Sequence, residues 1–244
     1  MKKTLLPIVL ASILGPSLAQ AQANDYIVST EAVFSSEYVF RGVKEAGPTV
    51  MPAVEIQSRG NPGGDMYLGA WAAMPARGDF ENEVNAYAGF DAELQHNFFV
   101  DIGAAYYHFP MRGPANILDD TIEPYLGLRM EEIADSFFSG GGYVFYDIDK
   151  SFTVEGFVEY SQPFEGGIPA TLDLGAFLGY TDEDRRFEED HTYYGAYATI
   201  PYQLNEVATL TAGVHYMGRS GLDNTPIDSS RDFVYWTAGL NLQY

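Results

Sequence analysis

The stretch EVNAYAGFDAEL, from Glu83 to Leu94, alternates apolar and polar side chains without interruption. One face of an extended chain would carry Val84, Ala86, Ala88, Phe90, Ala92 and Leu94, and the other Glu83, Asn85, Tyr87, Gly89, Asp91 and Glu93. Successive side chains of a β-strand point to opposite sides of a sheet, so this period of two predicts a strand with two different surroundings. The stretches SFTVEGFVEY (151–160) and ATLTAGVHY (208–216) repeat the pattern.

The face that carries the carboxylates is predicted to point away from lipid. A charge on the lipid face of a membrane barrel costs up to about 2–4 kcal/mol at the bilayer midplane, somewhat less for Asp and Glu. Three such charges would approach the whole stability of a domain, about 5–15 kcal/mol. A soluble β-sandwich with one solvated face is the alternative, but aromatic residues near strand ends favour the interfacial girdles of a membrane barrel. The outward aromatic residues predicted in this way are Phe34, Tyr38, Phe98, Tyr160, Tyr180, Tyr194, Trp236 and Tyr244.

The same period divides the chain into about twelve segments. They are 26–42, 50–59, 65–74, 82–94, 98–109, 121–131, 136–147, 151–161, 170–180, 191–201, 207–216 and 232–244. Each is near or above the roughly 9–11 residues that a tilted strand needs to cross a bilayer. Short connections such as QHN alternate with long ones such as MGRSGLDNTPIDSSR, which is typical of these barrels. The predicted fold is an all-β, transmembrane, antiparallel up-and-down β-barrel of about twelve strands. Ten or fourteen strands are alternatives, because the 147–150 connection is tight and SGGGY (139–143) weakens one strand.

The N-terminal residues predict export. Lys2 and Lys3 precede a short apolar run, and small residues follow it, which is the layout of a secretory signal peptide. We expect residues 1–23 to be this peptide, cleaved after Ala21 or Ala23, and residues 24–244 to form the barrel in the outer membrane of a Gram-negative bacterium. The chain has no cysteine, which excludes disulfides and thiolate metal sites. Its formal charge of −21 argues against a nucleic-acid partner.

The inward face is predicted to be strongly acidic. The expected lumenal carboxylates are Glu31, Glu37, Glu55, Glu83, Asp91, Glu93, Asp101, Glu123, Glu155, Glu159 and Asp173, and the expected lumenal arginines are Arg41, Arg59 and Arg129. Glu37 and Arg41 lie four residues apart in SSEYVFRGV (35–43), with Tyr38 and Phe40 assigned to the lipid face. Glu55 and Arg59 repeat the spacing, which suggests a ladder of opposite charges with Trp71 beside it, able to stack on an arginine. Such a ladder could be a solute-sorting constriction or simple structural charge pairing, and the sequence leaves both open.

Two further segments carry specific expectations. TAGLNLQY ends the chain on an aromatic residue within an amphipathic strand and is similar to the signal that barrel-assembly machinery reads, through Thr237, Gly239, Leu242 and Tyr244. The acidic run TDEDRRFEED (181–190), which includes Asp182, Glu183 and Asp184, could hold divalent ions that bridge lipopolysaccharide. More often such a run is a solvated face.

Several motifs together resemble one family. They comprise Ser36, Glu37, Tyr38, Phe40, Arg41 and Gly42, then Pro52, Ala53 and Val54, then Gly69 and Trp71, then Tyr87 and Gly89, and then Gly103, Tyr106, Tyr107 and Pro110. In order and spacing they resemble the TorF-type family of hypothetical outer-membrane porins, which carries a Gly-x-Trp motif. The resemblance implies an outer-membrane pore.

The expected function is passive diffusion of small hydrophilic solutes, with cations preferred because the lumen is acidic. Expected partners are outer-membrane lipid, lipopolysaccharide and the assembly machinery. We expect no cofactor and no enzymatic activity, since neither a Gly-x-Ser-x-Gly nor a His-Glu-x-x-His motif occurs. One alternative is a barrel-embedded, lipase-like enzyme, in which folding would have to bring a serine and a histidine together. The other is a structural or adhesive barrel.

Overall fold

The computed structural model of the chain describes residues 26–61, 63–76, 82–110, 120–148, 151–184, 189–222 and 231–244. The expected signal peptide lies outside these residues. Fourteen strands follow one another: β1 (Tyr26–Ser35), β2 (Tyr38–Phe40), β3 (Val43–Ala46), β4 (Thr49–Ser58), β5 (Asp65–Pro75), β6 (Glu83–Gln95), β7 (Phe98–His108), β8 (Thr121–Met130), β9 (Phe138–Tyr146), β10 (Phe152–Pro163), β11 (Thr171–Asp184), β12 (Glu189–Gln203), β13 (Ala208–Gly221) and β14 (Asp232–Gln243). A short 3-10 turn, Ile133–Asp135, precedes β9.

Twelve of these strands close into one antiparallel barrel, and the remaining two, β2 and β3, pair only with each other. Each barrel strand pairs with its neighbour in the sequence, and β1 closes the ring by pairing with both β4 and β14. The predicted twelve-strand barrel is thus confirmed. Among the described residues, no helix is long and apolar enough to span a membrane.

The alternation of side chains gives the barrel an apolar outside and a polar inside. Large apolar residues at every second position are well exposed on the outer surface, such as Leu68 at 60% and Val234 at 69%. The residues between them point inward and are mostly buried, including Glu55, Asp101 and Glu123. This is the distribution that lipid outside and a polar interior require.

Inward glycines let aromatic rings lie flat across the neighbouring strand. Tyr87 pairs with Gly69, and a Cβ on Gly69 would come within 2.2 Å of the Tyr87 ring. The same cross-strand arrangement recurs in Tyr67–Gly89, Tyr125–Gly103, Tyr143–Gly127, Tyr197–Gly175, Tyr193–Gly179 and Phe177–Gly195. Aromatic rings that cover glycines in this way fix the strand register and fill the interior.

The prediction for the first strand was wrong. The segment expected to run from 26 to 42 ends as a barrel strand at Ser35. Residues 38–46 turn into the interior as the hairpin β2–β3, which we call the lumenal hairpin. Tyr38, assigned to the lipid face, is only 5% exposed, and Phe40 packs against the interior core. The end of the barrel that carries this hairpin and the longer connections is called the loop end here, and the opposite end the turn end.

Candidate functional site: the lumenal hairpin and its wall

The lumenal hairpin is closed by a two-residue turn. Phe40 pairs with Val43, and the intervening Arg41 and Gly42 have positive φ angles of 46° and 78°. Positive φ at both central residues is the geometry of a type I′ turn, whose twist matches the flanking strands. An arginine rarely adopts such a conformation, so contacts around Arg41 must hold it there.

The backbone of the turn is held by β12 and β13. The His191 Nε2–H donates to the Arg41 carbonyl oxygen at 2.8 Å, and Arg219 Nη1 donates to the Gly42 carbonyl oxygen at 3.0 Å. The Gly42 N–H points at the sulfur of Met217 at 3.2 Å. The fit is close, because a Cβ on Gly42 would lie 2.7 Å from the Cβ of Tyr193. Only glycine therefore suits this position, on grounds of both space and φ.

The Arg41 side chain reaches the opposite wall. Its Nη1 and Nη2 atoms donate to the two carboxylate oxygens of Glu123 on β8, at 2.8 and 2.9 Å. Its guanidinium carbon lies 4.8 Å from the Phe40 ring centroid and 4.9 Å from that of Phe145 on β9. Since β9 is the sixth strand from β1 in a ring of twelve, the hairpin spans the lumen. The paired carboxylate of Glu123 compensates the cost of burying the Arg41 charge.

The base of the hairpin is fixed by other contacts. The Tyr38 hydroxyl donates to Glu83 Oε2 at 2.9 Å, and its ring meets that of Trp71 edge-on at 6.3 Å. Lys44 pairs with Glu37 at 3.1 Å, with both side chains partly exposed. Val39 packs into a small apolar cluster with residues of β13 and β14.

The structure does not contain the expected ladder in which Glu37 faces Arg41 and Glu55 faces Arg59. Glu37 pairs with Lys44, whereas Arg41 pairs with Glu123, because the turn between them carries Arg41 across the lumen. Arg59 lies beyond the end of β4 and is exposed, while Glu55 is buried and accepts a hydrogen bond from Tyr87. Trp71 does point inward, but its ring packs on Tyr38, and the arginine contacts described above are with phenylalanines.

Tyrosine hydroxyls donate hydrogen bonds to five of the inward carboxylates. The donor–acceptor pairs are Tyr87 to Glu55, Tyr38 to Glu83, Tyr67 and Tyr143 to Asp101, Tyr107 to Glu123 and Tyr197 to Glu159. Buried polar groups require such partners, and a phenol supplies one without adding charge. Asp91 is paired with a charged donor instead: Arg129 Nη2 lies 2.5 Å from Asp91 Oδ2, and the Arg129 guanidinium carbon lies 4.6 Å from the Phe99 ring centroid.

The other expected lumenal residues fall into two groups. Glu31, Glu155 and Asp173 are inward and less than 10% exposed. Glu93 is exposed near the turn end of β6, where it pairs with the buried Phe99 just before a bulge and its carboxylate accepts from the Asn97 N–H in the adjoining turn. Its side chain therefore lies on the inward face, at the exposed rim of the barrel.

The lumen is packed unequally around its circumference. Inward side chains of β4 to β8 are almost all buried, whereas β10 to β14 and β1 retain half-buried ones towards the turn end. These half-buried inward residues include Ser29, Phe157, Glu159, Phe177, Tyr197 and Asn241, whereas the half-buried Tyr235 lies nearer the loop end of β14. Water-accessible space inside the barrel therefore lies along β10–β14, on the turn-end side of the hairpin.

The remaining expectations concern the acidic run and the C-terminus. Asp182 is exposed near the end of β11, whereas the side chains of Glu183 and Asp184 and all of residues 185–188 lie outside the described part. Among described residues, no group of three or more His, Asp or Glu side chains is arranged to hold a metal ion.

The C-terminal strand completes the barrel. Tyr244 exchanges two backbone hydrogen bonds with Val28, at 2.9 and 3.0 Å. Gly239 pairs with Val33, Leu242 pairs with Thr30, and Thr237 is buried beside His215. Its role as an assembly signal stays a prediction.

Several residues of this site were not foreseen. Arg219 was assigned to a long loop, but β13 continues to Gly221 and turns Arg219 inward, where it is 2% exposed. His191 directly follows the acidic run 181–190, and no sequence motif marks it as the donor to the Arg41 carbonyl oxygen. The one available signal was the length of segment 26–42, which far exceeds the roughly 9–11 residues of a spanning strand.

A closed antiparallel barrel with an apolar exterior and a charged interior has the fold of the outer-membrane β-barrels. Within that class the chain belongs to the Gcw_chp family, described as bacterial proteins of unknown function, whose family model matches residues 19–244.

Solved structures share the fold at low sequence identity. The chain is similar to the KdgM porin, with a TM-score of 0.55, 13% identity and coverage of 88% of this chain and 99% of that one. It is also similar to an outer-membrane channel from Pseudomonas putida F1, with a TM-score of 0.59, 8% identity and coverage of 95% and 100%. The translocator domain of the autotransporter NalP from Neisseria meningitidis gives 0.56, 11%, 93% and 90%. No curated protein matches the sequence significantly.

Proposed function

We propose that this protein is a porin-like channel of the outer membrane, through which small hydrophilic solutes diffuse passively. The observation that carries the proposal is the contrast between the apolar outer face and the ionisable inner face of a closed barrel. Structural similarity to the KdgM porin and to the P. putida channel supports the same class. The longer connections would face the cell exterior and the short turns the periplasm, as in other such barrels.

We further propose that the channel prefers cations. Among the described residues, the inward charged side chains include the carboxylates Glu31, Glu55, Asp65, Glu83, Asp91, Asp101, Glu123, Asp147, Glu155, Glu159 and Asp173 but only the arginines Arg41, Arg129 and Arg219. Acidic walls inside a low-dielectric shell focus a negative potential, which enriches cations. Glu159 is the carboxylate best placed to act, since it is half-buried in the water-accessible part of the lumen.

Reversal potentials in planar bilayers under a KCl gradient test both proposals. We expect a potential of the sign that marks cation selectivity, reduced in Glu159→Gln. Glu93→Gln is the matched control, because Glu93 is exposed to water at the rim of β6 and should change the potential less than Glu159→Gln does. Anion selectivity would contradict the cation preference.

A structural barrel is the second candidate, and one observation favours it. The hairpin and the tyrosine–carboxylate pairs fill the lumen along β4 to β8, which limits the space available for solutes. Wild-type protein that is folded, as shown by a heat-shifted gel band, yet carries no current in planar bilayers would favour this role.

The structural neighbours do not identify the solute that this channel would carry. The KdgM porin has a structure in complex with disordered oligogalacturonate, which is a polyanion. The acidic interior described above would repel such a chain, so we propose small cationic or neutral solutes instead.

The remaining identifications are part of the same proposal. They comprise the TorF-type porin assignment, export by the N-terminal signal peptide, contact with lipid and lipopolysaccharide, and recognition of the C-terminal strand by barrel-assembly machinery. Removal of Tyr244 tests the last of these, and we expect slower assembly in cells.

A further inference from the structure

The wall that receives Arg41 has the form of a guanidinium receptor. Glu123 presents both carboxylate oxygens to the two terminal nitrogens, and the Tyr107 hydroxyl donates to Glu123 Oε1 at 3.2 Å. The Phe145 ring lies against the guanidinium carbon. A planar fork held by two parallel hydrogen bonds and an aromatic face is the usual way in which proteins recognise arginine rather than lysine.

The bound guanidinium does not belong to the wall itself. Glu123, Tyr107 and Phe145 lie on β8, β7 and β9, which form a continuous sheet. Arg41 comes instead from the lumenal hairpin, which adds no strand to that sheet. The receptor would therefore remain intact if the hairpin or its arginine were withdrawn, and it would then hold a buried carboxylate without its cation, which is strongly unfavourable.

A second carboxylate stands beside the receptor. Glu155 on β10 is 5% exposed and points inward two residues beyond Thr153, the cross-strand partner of Phe145. Its Oε1 atom is buried without a hydrogen-bond partner among the residues that the structure describes. This buried, unpartnered oxygen is a hydrogen-bond acceptor for a ligand that has an ammonium group in addition to a guanidinium.

We propose that Glu123, Tyr107 and Phe145, with Glu155 beside them, form a binding site for guanidinium-bearing solutes, and that Arg41 fills it as a tethered ligand when the hairpin is docked. The proposal rests on the proposed channel function and names its solute class: arginine and short peptides that contain it. A free solute of this class competes with Arg41 for the same carboxylate.

Calorimetric titration of L-arginine into the detergent-folded full chain tests the site. We expect saturable binding to Arg41→Ala and weaker apparent binding to the wild type, where the tethered arginine competes. Binding to the double variant Arg41→Ala/Glu123→Gln should be weaker than to Arg41→Ala by about tenfold or more, since two charge-assisted hydrogen bonds are lost. L-citrulline has nearly the same shape without the charge and should not bind any of the three.

Two results would overturn the proposal: affinity of Arg41→Ala for arginine no greater than for citrulline, or equal affinity in the double variant. If Arg41→Ala does not fold alone, L-arginine in the refolding buffer should restore its heat-shifted band and give the double variant no comparable gain; absence of this restoration also overturns it. The titration involves no current, so a chain that conducts no ions can still bind arginine, and a conducting chain can fail to bind it.

Discussion

Replacing Gly42 by alanine should release the lumenal hairpin from the barrel wall. The new Cβ would lie 2.7 Å from the Cβ of Tyr193 and 3.0 Å from that of Arg219, both on strands that cannot retreat without disturbing the barrel. Gly42 also has a φ of +78°, which an alanine adopts with strain. Both effects act on the docked hairpin and leave the barrel strands as they are.

The magnitude follows from these two terms. The left-handed conformation costs an L-residue about 1–2 kcal/mol. Overpacking of a close-packed contact adds about 1–3 kcal/mol. Together they disfavour docking by about 2–5 kcal/mol, which increases the undocked population roughly 30-fold or more because each 1.4 kcal/mol corresponds to a factor of ten.

Limited trypsin digestion of the detergent-folded protein measures this population. Lys44 lies in β3, and cleavage of the Lys44–Glu45 bond needs an undocked hairpin, since Val43 and Ala46 are buried. When opening is fast relative to cleavage, the cleavage rate follows the open population. Mass spectrometry of the fragments identifies the bond, and we expect its cleavage to accelerate about 30-fold or more in Gly42→Ala.

Gly166→Ala is the matched control. Gly166 has the same φ of +78° but nothing lies within 4 Å of its added Cβ, so it tests the backbone strain without the contact. Its turn joins β10 to β11, away from the hairpin. Cleavage at Lys44 that is equally slow in Gly42→Ala and Gly166→Ala would refute the close docking of Gly42 on β12 and β13.

Three further predictions concern the barrel. Arg129→Ala should lower the free energy of unfolding by about 3–5 kcal/mol, because it leaves Asp91 buried without its cation. Adding Asp91→Asn to this variant should recover part of the loss, because it removes the unpaired charge. Urea titration in detergent measures both variants, and no recovery in the double variant would contradict the pairing. Gly69→Ala should cost about 1–3 kcal/mol in the same assay, because its Cβ meets the Tyr87 ring at 2.2 Å, whereas Gly156→Ala, whose nearest contact is at 3.7 Å, should be nearly neutral; equal losses would argue against the ring–glycine contact. Hydrogen bonds from His108, Tyr106 and the Phe109 N–H hold the pKa of the half-buried Asp120 well below its usual range. A lowered pKa stabilises the fold above the ordinary carboxyl pKa, and this contribution disappears as pH falls through the folded value. His108→Ala should therefore lower the thermal midpoint at neutral pH, and the gap should narrow on strong acidification; a pH-independent gap would contradict this.

The barrel itself was predictable because its cause is local. Alternation at Glu83 to Leu94 assigns each side chain a face, and the cost of charge in lipid decides which face points inward. The same alternation recurs along the chain, and the number of alternating segments predicts the number of strands. Neither step needs knowledge of which residues meet across the lumen.

The hairpin could not be predicted in this way, because alternation is the same in a barrel strand and in a hairpin inside the barrel. The interpretation of residues 26–42 as one strand kept the period but missed the Arg41–Gly42 turn. The partner of Arg41 is Glu123, which is 82 residues away, so only the closed ring brings the two together. Arg219 was missed for a related reason, since nearby glycine and serine residues suggested a loop where pairing with β12 extends the strand.

Single-channel conductance with and without the lumenal hairpin tests most directly whether the barrel conducts and whether the hairpin lies in the conducting path. Ser35 and Thr49 already pair, so residues 37–47 can be replaced by a short Gly-Ser turn that leaves the barrel strands intact. We expect a small cation-selective conductance for the wild type and a clearly larger one for the shortened variant, with both showing the heat-shifted band. Equal conductances would contradict the placement of the hairpin in the conducting path, and folded variants that carry no current in either form would contradict the channel itself.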